Sequence, residues 1–343
     1  MFKAIAVFVT ILLSLLDSGT AAAQSRLWED YKRQFLSGDG RIIDHFQHSN
    51  SHSEGQGYGL LLSVLHGDRG AFDRILEWTE SNLQVRRDAL SAWSWGKRPN
   101  GRWKIIDYNN ATDGDLLLAW ALLKAYRAWQ HSPYREKALD IIGDIREELA
   151  REKDGLLVLA PAYFGFERGD GLVVNNGYMV FSAFTEFAAA EERQFWLRVR
   201  RDSLRLLGKS RFSRFRLPAD WVKLEGGGVS IDSSRSPFFG YEAIRIPLYL
   251  AMAGENDRLQ SFSEYLKFVA ELGYLPNRFN LVDGTISADR APAGFHAVFG
   301  RCAARLGQEE LARRLMDTAA DRIRNESRDY FSYTLYLLSK ASF

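Results

Sequence analysis

Two short segments place acidic residues at the mouths of strongly apolar runs. Ser53-Glu54-Gly55-Gln56 precedes Tyr58-Gly59-Leu60-Leu61-Leu62, and Ala111-Thr112-Asp113-Gly114-Asp115 precedes Leu116-Leu117-Leu118-Ala119-Trp120-Ala121-Leu122-Leu123. If both runs are helices whose N-termini open at the same end of the molecule, Glu54 and Asp113 face one cleft. Two carboxylates in one cleft are the equipment of glycoside hydrolysis: one protonates the leaving oxygen and the other activates water or attacks the sugar. A structural reading competes at each position. Ser53 and Gln56 have the spacing of a capping box with Glu54 as a first-turn acid, and Asp113 has the type of an N-cap. Other chemistries lack their residues. There is no His-Glu-x-x-His and no Gly-x-Ser-x-Gly, and Gly226-Gly227-Gly228 lacks the Lys-Ser/Thr that follows in a phosphate loop. His45, His48 and His52 lie close together, but their helical spacing falls in a stretch rich in Ser and Asn that reads as loop, so no metal site and no cofactor is expected.

The elements that would position these acids are almost all helical. Periodicity of 3.6 residues predicts helices near 26–37, 54–66, 69–82, 114–130, 133–151, 177–190, 192–207, 239–253, 257–272, 290–306, 309–321 and 328–341, with very little strand in competition. They come in pairs. Residues 116–123 are apolar all round and call for burial on every side, whereas the next helix carries Leu139, Ile141, Ile142, Ile145 and Leu149 on one stripe. Ser132-Pro133 between them reads as an N-cap followed by proline at the first helical position, a short antiparallel connection. Six such hairpins wrapped into a ring give an all-α, double-layered helical barrel, with an open helical array as the alternative. The segment 217–230 has strand-like pieces and a glycine run and reads as a small β-like excursion from the ring. Trp93, Trp95, Trp103 and Tyr108 crowd a stretch with Pro, Gly and Asn that reads as surface loop, more aromatics than a loop needs to fold. Trp95 and Trp103 are the preferred platforms for the apolar faces of sugars, ahead of Trp221.

Composition limits the partners. Lys plus Arg at 45 against Asp plus Glu at 43 leaves a net charge of +2, without the broad positive field that nucleic-acid binding needs. The single cysteine, Cys302, forbids an internal disulfide. Residues 1–23 carry Lys3, an apolar run from Ala4 to Leu16 and Ala21-Ala22-Ala23, the layout of a cleaved secretory signal. A membrane anchor is the rival reading, but a span needs about 20 apolar residues and Asp17 ends this run early. The expectation is a mature chain of residues 24–343, one domain, soluble, secreted or periplasmic, and monomeric.

Ser53-Glu-Gly-Gln-Gly-Tyr-Gly59, Ala111-Thr-Asp-Gly-Asp115 with its apolar helix, and Gly240-Tyr-Glu-Ala-Ile-Arg-Ile-Pro247 closely resemble the signature segments of glycoside hydrolase family 8. Leu217-Pro-Ala-Asp-Trp221 and Tyr330-Phe-Ser-Tyr333 are weaker matches, and the order is kept across nearly all of the chain. The resemblance implies an (α/α)6 barrel, an inverting mechanism, β-1,4-glycan substrates of the cellulose type, and a functional link to cellulose synthase. It implies Glu54 as general acid and Asp113 as the aspartate that contacts the sugar at the cleavage point. The base of the cellulase-type members is an aspartate in a Tyr-Asp-Ala-x-Arg segment, where this chain has Tyr241-Glu242-Ala243-Ile244-Arg245. Glu242 keeps the carboxylate on a side chain one methylene longer, so Glu242, Asp113 or another carboxylate remains open as the base. Chitosan, xylan and mixed-linkage glucan stay open as substrates, as does a glucan-binding accessory with little catalysis. Arg245, three residues on, would share a helix face with Glu242 and hold its charge. Tyr58 and Tyr241 are candidates to hydrogen-bond these groups. An inverting site needs roughly 6.5–9.5 Å between acid and base to admit a water. Glu54 must also keep a proton against a helix N-terminus that favours the ionised form, which burial and the Asp113 charge would oppose.

Overall fold

The computed structural model describes residues 24–326 and 328–343; the secretory signal expected at residues 1–23 lies outside them. Twelve helices are found among the described residues. They are α1 (24–35), α2 (Ser53–Leu65), α3 (Arg69–Asn82), α4 (Thr112–Trp129), α5 (Ser132–Asp144), α6 (Phe181–Ala190), α7 (Arg193–Lys209) and α8 (Arg245–Met252). An outer helix, α9, runs from Asn256–Leu259 through a tight turn, Gln260–Phe262, into Ser263–Leu272, and α10 (Ala293–Arg305), α11 (Glu309–Ile323) and α12 (Tyr330–Lys340) complete the set. The even-numbered helices pack against one another in chain order, and α12 returns against α2, so the inner ring closes. This all-α, two-layered barrel is the expected fold class, with small antiparallel sheets added.

The inner layer follows from composition. Every residue of α2 from Ser53 to Ser63 is buried except Glu54, and in α4 every residue from Thr112 to Leu123 is buried. Outer helices bury one stripe only, as with Tyr134, Ala138, Ile141 and Ile142 of α5. Two glycines let the first inner helices touch. A Cβ on Gly57 would lie 2.7 Å from Leu117 Cβ, and one on Gly114 would lie 2.3 Å from Ser53 Oγ and 2.8 Å from the Glu54 nitrogen. The close approach of α2 and α4 at their N-terminal ends brings Glu54 beside Asp113.

Several boundaries differ from expectation, each for a local reason. His52 is the N-cap of α2, its Nδ1 accepting from the Gly55 N–H at 3.4 Å. Gln56 closes no capping box: its Oε1 accepts from the Ile42 N–H at 2.6 Å and its Nε2 donates to Thr79 Oγ1 at 2.9 Å, tying loop to outer helix. Asp113 lies inside α4, whose N-cap is Ala111, and Ser132 lies inside α5, whose N-cap is His131. The fifth helix stops at Asp144, runs through a wide turn at Ile145–Leu149, and enters a hairpin of Ala150–Lys153 and Leu156–Leu159. Asp154 and Gly155 both have positive φ there, 50° and 71°, the two-residue turn that suits the twist of paired strands.

The eighth helix begins only at Arg245, after a turn over Gly240–Ile244, and α6 begins at Phe181 after a tight turn at Asn176–Tyr178. The aromatic loop is a hairpin, Ser94–Lys97 with Trp103–Asp107, whose first strand also pairs with Ser51–His52 and so fixes the entrance of α2. The excursion after α7 supplies Gly228–Ile231 and Trp221–Glu225 to a four-stranded sheet, in that order, which Gly171–Asn175 and Glu167–Arg168 from the stretch before α6 complete.

Candidate active site

The N-terminal ends of the inner helices deliver their side chains to one open cavity of about 330 Å³. The second and fourth helices contribute Glu54 and Asp113, the turn before α8 contributes Tyr241 and Glu242, α8 opens with Arg245, and α12 opens with Tyr330 and Phe331. Trp93, Tyr178, Asp44, His52 and Asp329 complete much of the wall.

Arg245 is the hub. Its Nη1 donates to Glu54 Oε2 and to Asp113 Oδ2, each at 2.7 Å, and its Nη2 donates to Glu242 Oε2. Its own side chain is 1% exposed, against 17% for Glu54, 1% for Asp113 and 32% for Glu242. Burial works against the Arg245 charge, but Glu242, Glu54 and Asp113 outweigh it and hold the guanidinium protonated. One guanidinium cannot neutralise three carboxylates. Burial, with Glu54 and Glu242 nearby, pushes the Asp113 carboxyl up to about 7 although Arg245 pulls the other way. The cluster therefore keeps a proton near neutrality.

Glu54 is held from both ends. Tyr330 donates its phenol O–H to Glu54 Oε1 while Arg245 takes Oε2. The helix end that carries it is set by His52, whose Nε2 meets Asp44 Oδ2 at 3.2 Å. The N–H groups of Phe46 and Gln47 donate to Asp44 Oδ1 at 2.9 and 3.2 Å, so one carboxylate joins the Phe46 loop to the cap of the Glu54 helix. Asp115 faces away from the cavity. Its Oδ1 accepts from the Ser91 N–H at 2.8 Å and its Oδ2 from Asn110 Nδ2 at 2.9 Å, anchoring the two ends of the segment that carries Trp93.

Glu54, Asp113, Glu242, Tyr241 and Arg245 come together, and three other residues singled out in the sequence do not join them. Tyr58 is fully buried in the ring, its O–H sharing a 2.6 Å hydrogen bond with Tyr249, so it bonds neither to the carboxylates, the place expected from the sequence, nor to a sugar in the cavity. Trp95 and Trp103 stack on each other at 5.2 Å, with the Arg41 guanidinium about 5 Å from both rings, and neither lines the cavity. The tryptophan that does is Trp93. Sequence reasoning missed Tyr178 and the role of Tyr330, and named Trp93 among the loop aromatics without preferring it. Tyr330 opens a segment that resembles the family, which was the available signal; Tyr178 stands on a tight turn ahead of the helix expected over 177–190, and Trp93 on a connection with no periodicity to point at the cleft. Among the described residues no group of His, Cys, Asp and Glu is arranged to hold a metal.

A closed ring of paired helices with a carboxylate cluster in an open cleft at its helix N-termini defines a glycoside hydrolase of the helical-barrel class. The chain belongs to glycosyl hydrolases family 8, whose family model matches residues 1–342. It is 36% identical over 256 residues to an endoglucanase of Cellulomonas uda, covering 74% of this chain and 70% of that one. A probable endoglucanase of Novacetimonas hansenii is 34% identical, with 80% and 81% covered. The crystal structure of a family 8 endoglucanase from Klebsiella pneumoniae superposes with a TM-score of 0.82 at 32% identity, covering 92% of this chain and 97% of that one.

Proposed function

We propose that this enzyme hydrolyses internal β-1,4 bonds of cellulose-like glucans with inversion at the anomeric carbon. The observation that carries the reading is the meeting of Glu54, Asp113 and Glu242, from three separate inner-ring segments, on the one Arg245 guanidinium in an open cleft. Glu54 gives its proton to the glycosidic oxygen as the bond from that oxygen to the anomeric carbon breaks. Glu242, the most exposed of the three, accepts a proton from the water that attacks the opposite face. Asp113 contacts the sugar at the point of cleavage. In the free enzyme both oxygens of Glu54 accept hydrogen bonds, one from Arg245 and one from Tyr330. Asp113 accepts from the same Nη1 as Glu54, so the two carboxylates are held side by side at the point of cleavage. The relatives that are endoglucanases support the substrate class.

The test is release of reducing ends from soluble carboxymethylcellulose, chitosan and xylan, with binding measured on the same polymers and the first product anomer read by proton NMR. Rapid loss of viscosity and an α-anomer from the β-glucan are expected. A β-anomer in early turnover would overturn inversion, and binding without product would leave only a glucan-binding protein. Export through residues 1–23, monomeric action and a functional link to cellulose synthase belong to the same reading. N-terminal sequencing of the fractionated protein, its mass in solution, and cellulose output in a deletion strain check these in turn.

A further inference from the structure

We propose that Asp220 is the positioning residue of Glu242, its buried carboxylate setting the turn that aims Glu242 into the cleft. The inference rests on the reading of Glu242 as the base. Asp220 is 5% exposed and does not line the cavity. Its Oδ1 accepts from the Gly240 N–H and the Ala243 N–H, both at 2.9 Å, and its Oδ2 accepts from Ser236 Oγ at 2.8 Å. The two backbone donors bracket Glu242. They belong to a turn that lies ahead of α8, where buried N–H groups must find acceptors outside the helix. A single carboxylate oxygen with two lone pairs meets both, and thereby fixes the distance between the two ends of the turn.

Asp220 is itself held on both sides. Its N–H donates to the Phe238 carbonyl at 2.9 Å, and its carbonyl accepts from the Asn176 N–H at 3.2 Å. Asn176 Nδ2 also donates to the Ala219 carbonyl at 2.8 Å, so the segment before Trp221 binds the turn that carries Tyr178 as well as the one that carries Glu242. The two turns are in contact: a Cβ on Gly177 would sit 2.2 Å from the Glu242 carbonyl oxygen. Burial of a carboxylate without a cationic partner is costly. Burial, with the Glu242 charge beside it, pushes Asp220 up to about 6 although its hydrogen bonds pull it down. Every donor that offsets this cost comes from the stretch 236–243 that leads to and contains Glu242. A misplacement of about 1 Å at a reacting group can cost on the order of a hundredfold in rate, which is the scale of error this clamp prevents.

The experiment compares Asp220→Ala, Asp220→Asn, Ser236→Ala and Glu242→Gln on a soluble glucan, with kcat, KM and thermal melting for each. Asp220→Ala is expected to lower kcat by roughly 10- to 100-fold with a smaller change in KM, because Asp220 itself does not line the cleft and most of the wall comes from other elements. Asp220→Asn keeps Oδ1 as acceptor for both N–H groups and turns Nδ2 toward Ser236, so it is expected to restore most of kcat. Wild-type kcat in Asp220→Ala, an asparagine variant as damaged as alanine, or a rise in KM at constant kcat would each overturn the inference. If Asp220→Ala does not fold, the asparagine and Ser236→Ala variants decide it: both must fold, the first near wild type and the second with a smaller loss in kcat. Near-normal rates in Glu242→Gln would remove the base itself and this inference with it. An inactive Glu242→Gln beside a normal Asp220→Ala removes only the inference.

Discussion

Arg245 concentrates the chemistry of the cleft in one side chain. Its fork reaches three carboxylates because the guanidinium presents donors in fixed directions from a planar head. Lysine would offer one ammonium and no fork, so Arg245→Lys is expected to lose at least about a hundredfold in kcat while folding is retained; steady-state kinetics with a melting curve checks this. Glu54→Gln is the sharper test of the acid. The cap of α2 is His52, so the amide does not touch the helix end, and thermal stability is expected to fall by only about 1 kcal/mol from one lost donor pair. Turnover on an unactivated polymer should drop below a few per cent with glucan binding intact, because an amide has no proton to give the leaving oxygen. Glu242→Asp is expected to keep a measurable fraction of activity, since the carboxylate remains and Asp220 still clamps the turn.

At the scale of elements, the glycine contacts between α2 and α4 matter as much as the acids they place. In Gly114→Ala the new Cβ has no room beside Ser53 and the Glu54 nitrogen, so the two helix ends must part. The expected result is a loss of about 1–3 kcal/mol in stability together with a fall in kcat, read from melting and kinetics on the same preparation. The hairpin of Trp95 and Trp103 behaves in two ways. Trp95 is half-buried, edge-on to Trp78 at 5.3 Å and stacked on Trp103, within the sheet that holds the start of α2. Trp103 is 40% exposed. Trp95→Ala is therefore expected to lower the melting temperature by several degrees, at about 4 °C or less per kcal/mol for a domain of this size. Trp103→Ala should leave melting nearly unchanged and weaken binding of long oligosaccharides more than short ones, as isothermal titration against a chain-length series would show.

The whole molecule carries a set of buried carboxylates that shapes its response to pH. Burial pushes Asp113 and Asp115 up to about 7, and Asp220 and Asp329 up to about 6. The folded chain thus holds protons between pH 4 and 7 that the unfolded chain has released. Their contribution to stability is complete below about pH 4, where both states are protonated, and is lost as pH rises through 6 to 7. His66 and His296, lowered chiefly by burial, act in the opposite sense over the same range, and Asp44, Asp68 and Asp202, held low by their partners, lose stability only in stronger acid. The clean measurement is a difference. Asp115→Asn is expected to melt lower than wild type throughout, from the broken pair with Asn110, with the deficit largest at or below about pH 4, shrinking as pH rises and smallest by pH 8.

Much of the ring was legible in residue order because a helix is encoded in its own residues. Apolar positions recurring at 3.6 marked the pairs, and an all-apolar run such as 116–123 marked an inner member, since only a helix buried on every side tolerates it. Glu54 and Asp113 stood out for the same reason, as acids at the mouths of such runs. A short-range signal also sets the end of α5: Asp154-Gly155 is a hairpin turn, and its first strand, Ala150–Lys153, takes the last residues that the periodicity of 133–151 assigns to helix. Glu242 left its expected helix because the N–H groups beside it bond to Asp220, about twenty residues earlier. Closure of the ring, the hub at Arg245 and the grip of Tyr330 on Glu54 belong to the tertiary structure alone. They join residues 132, 191 and 276 positions apart, and such contacts arise when the last helix packs against the first inner one, an outcome that no local period contains.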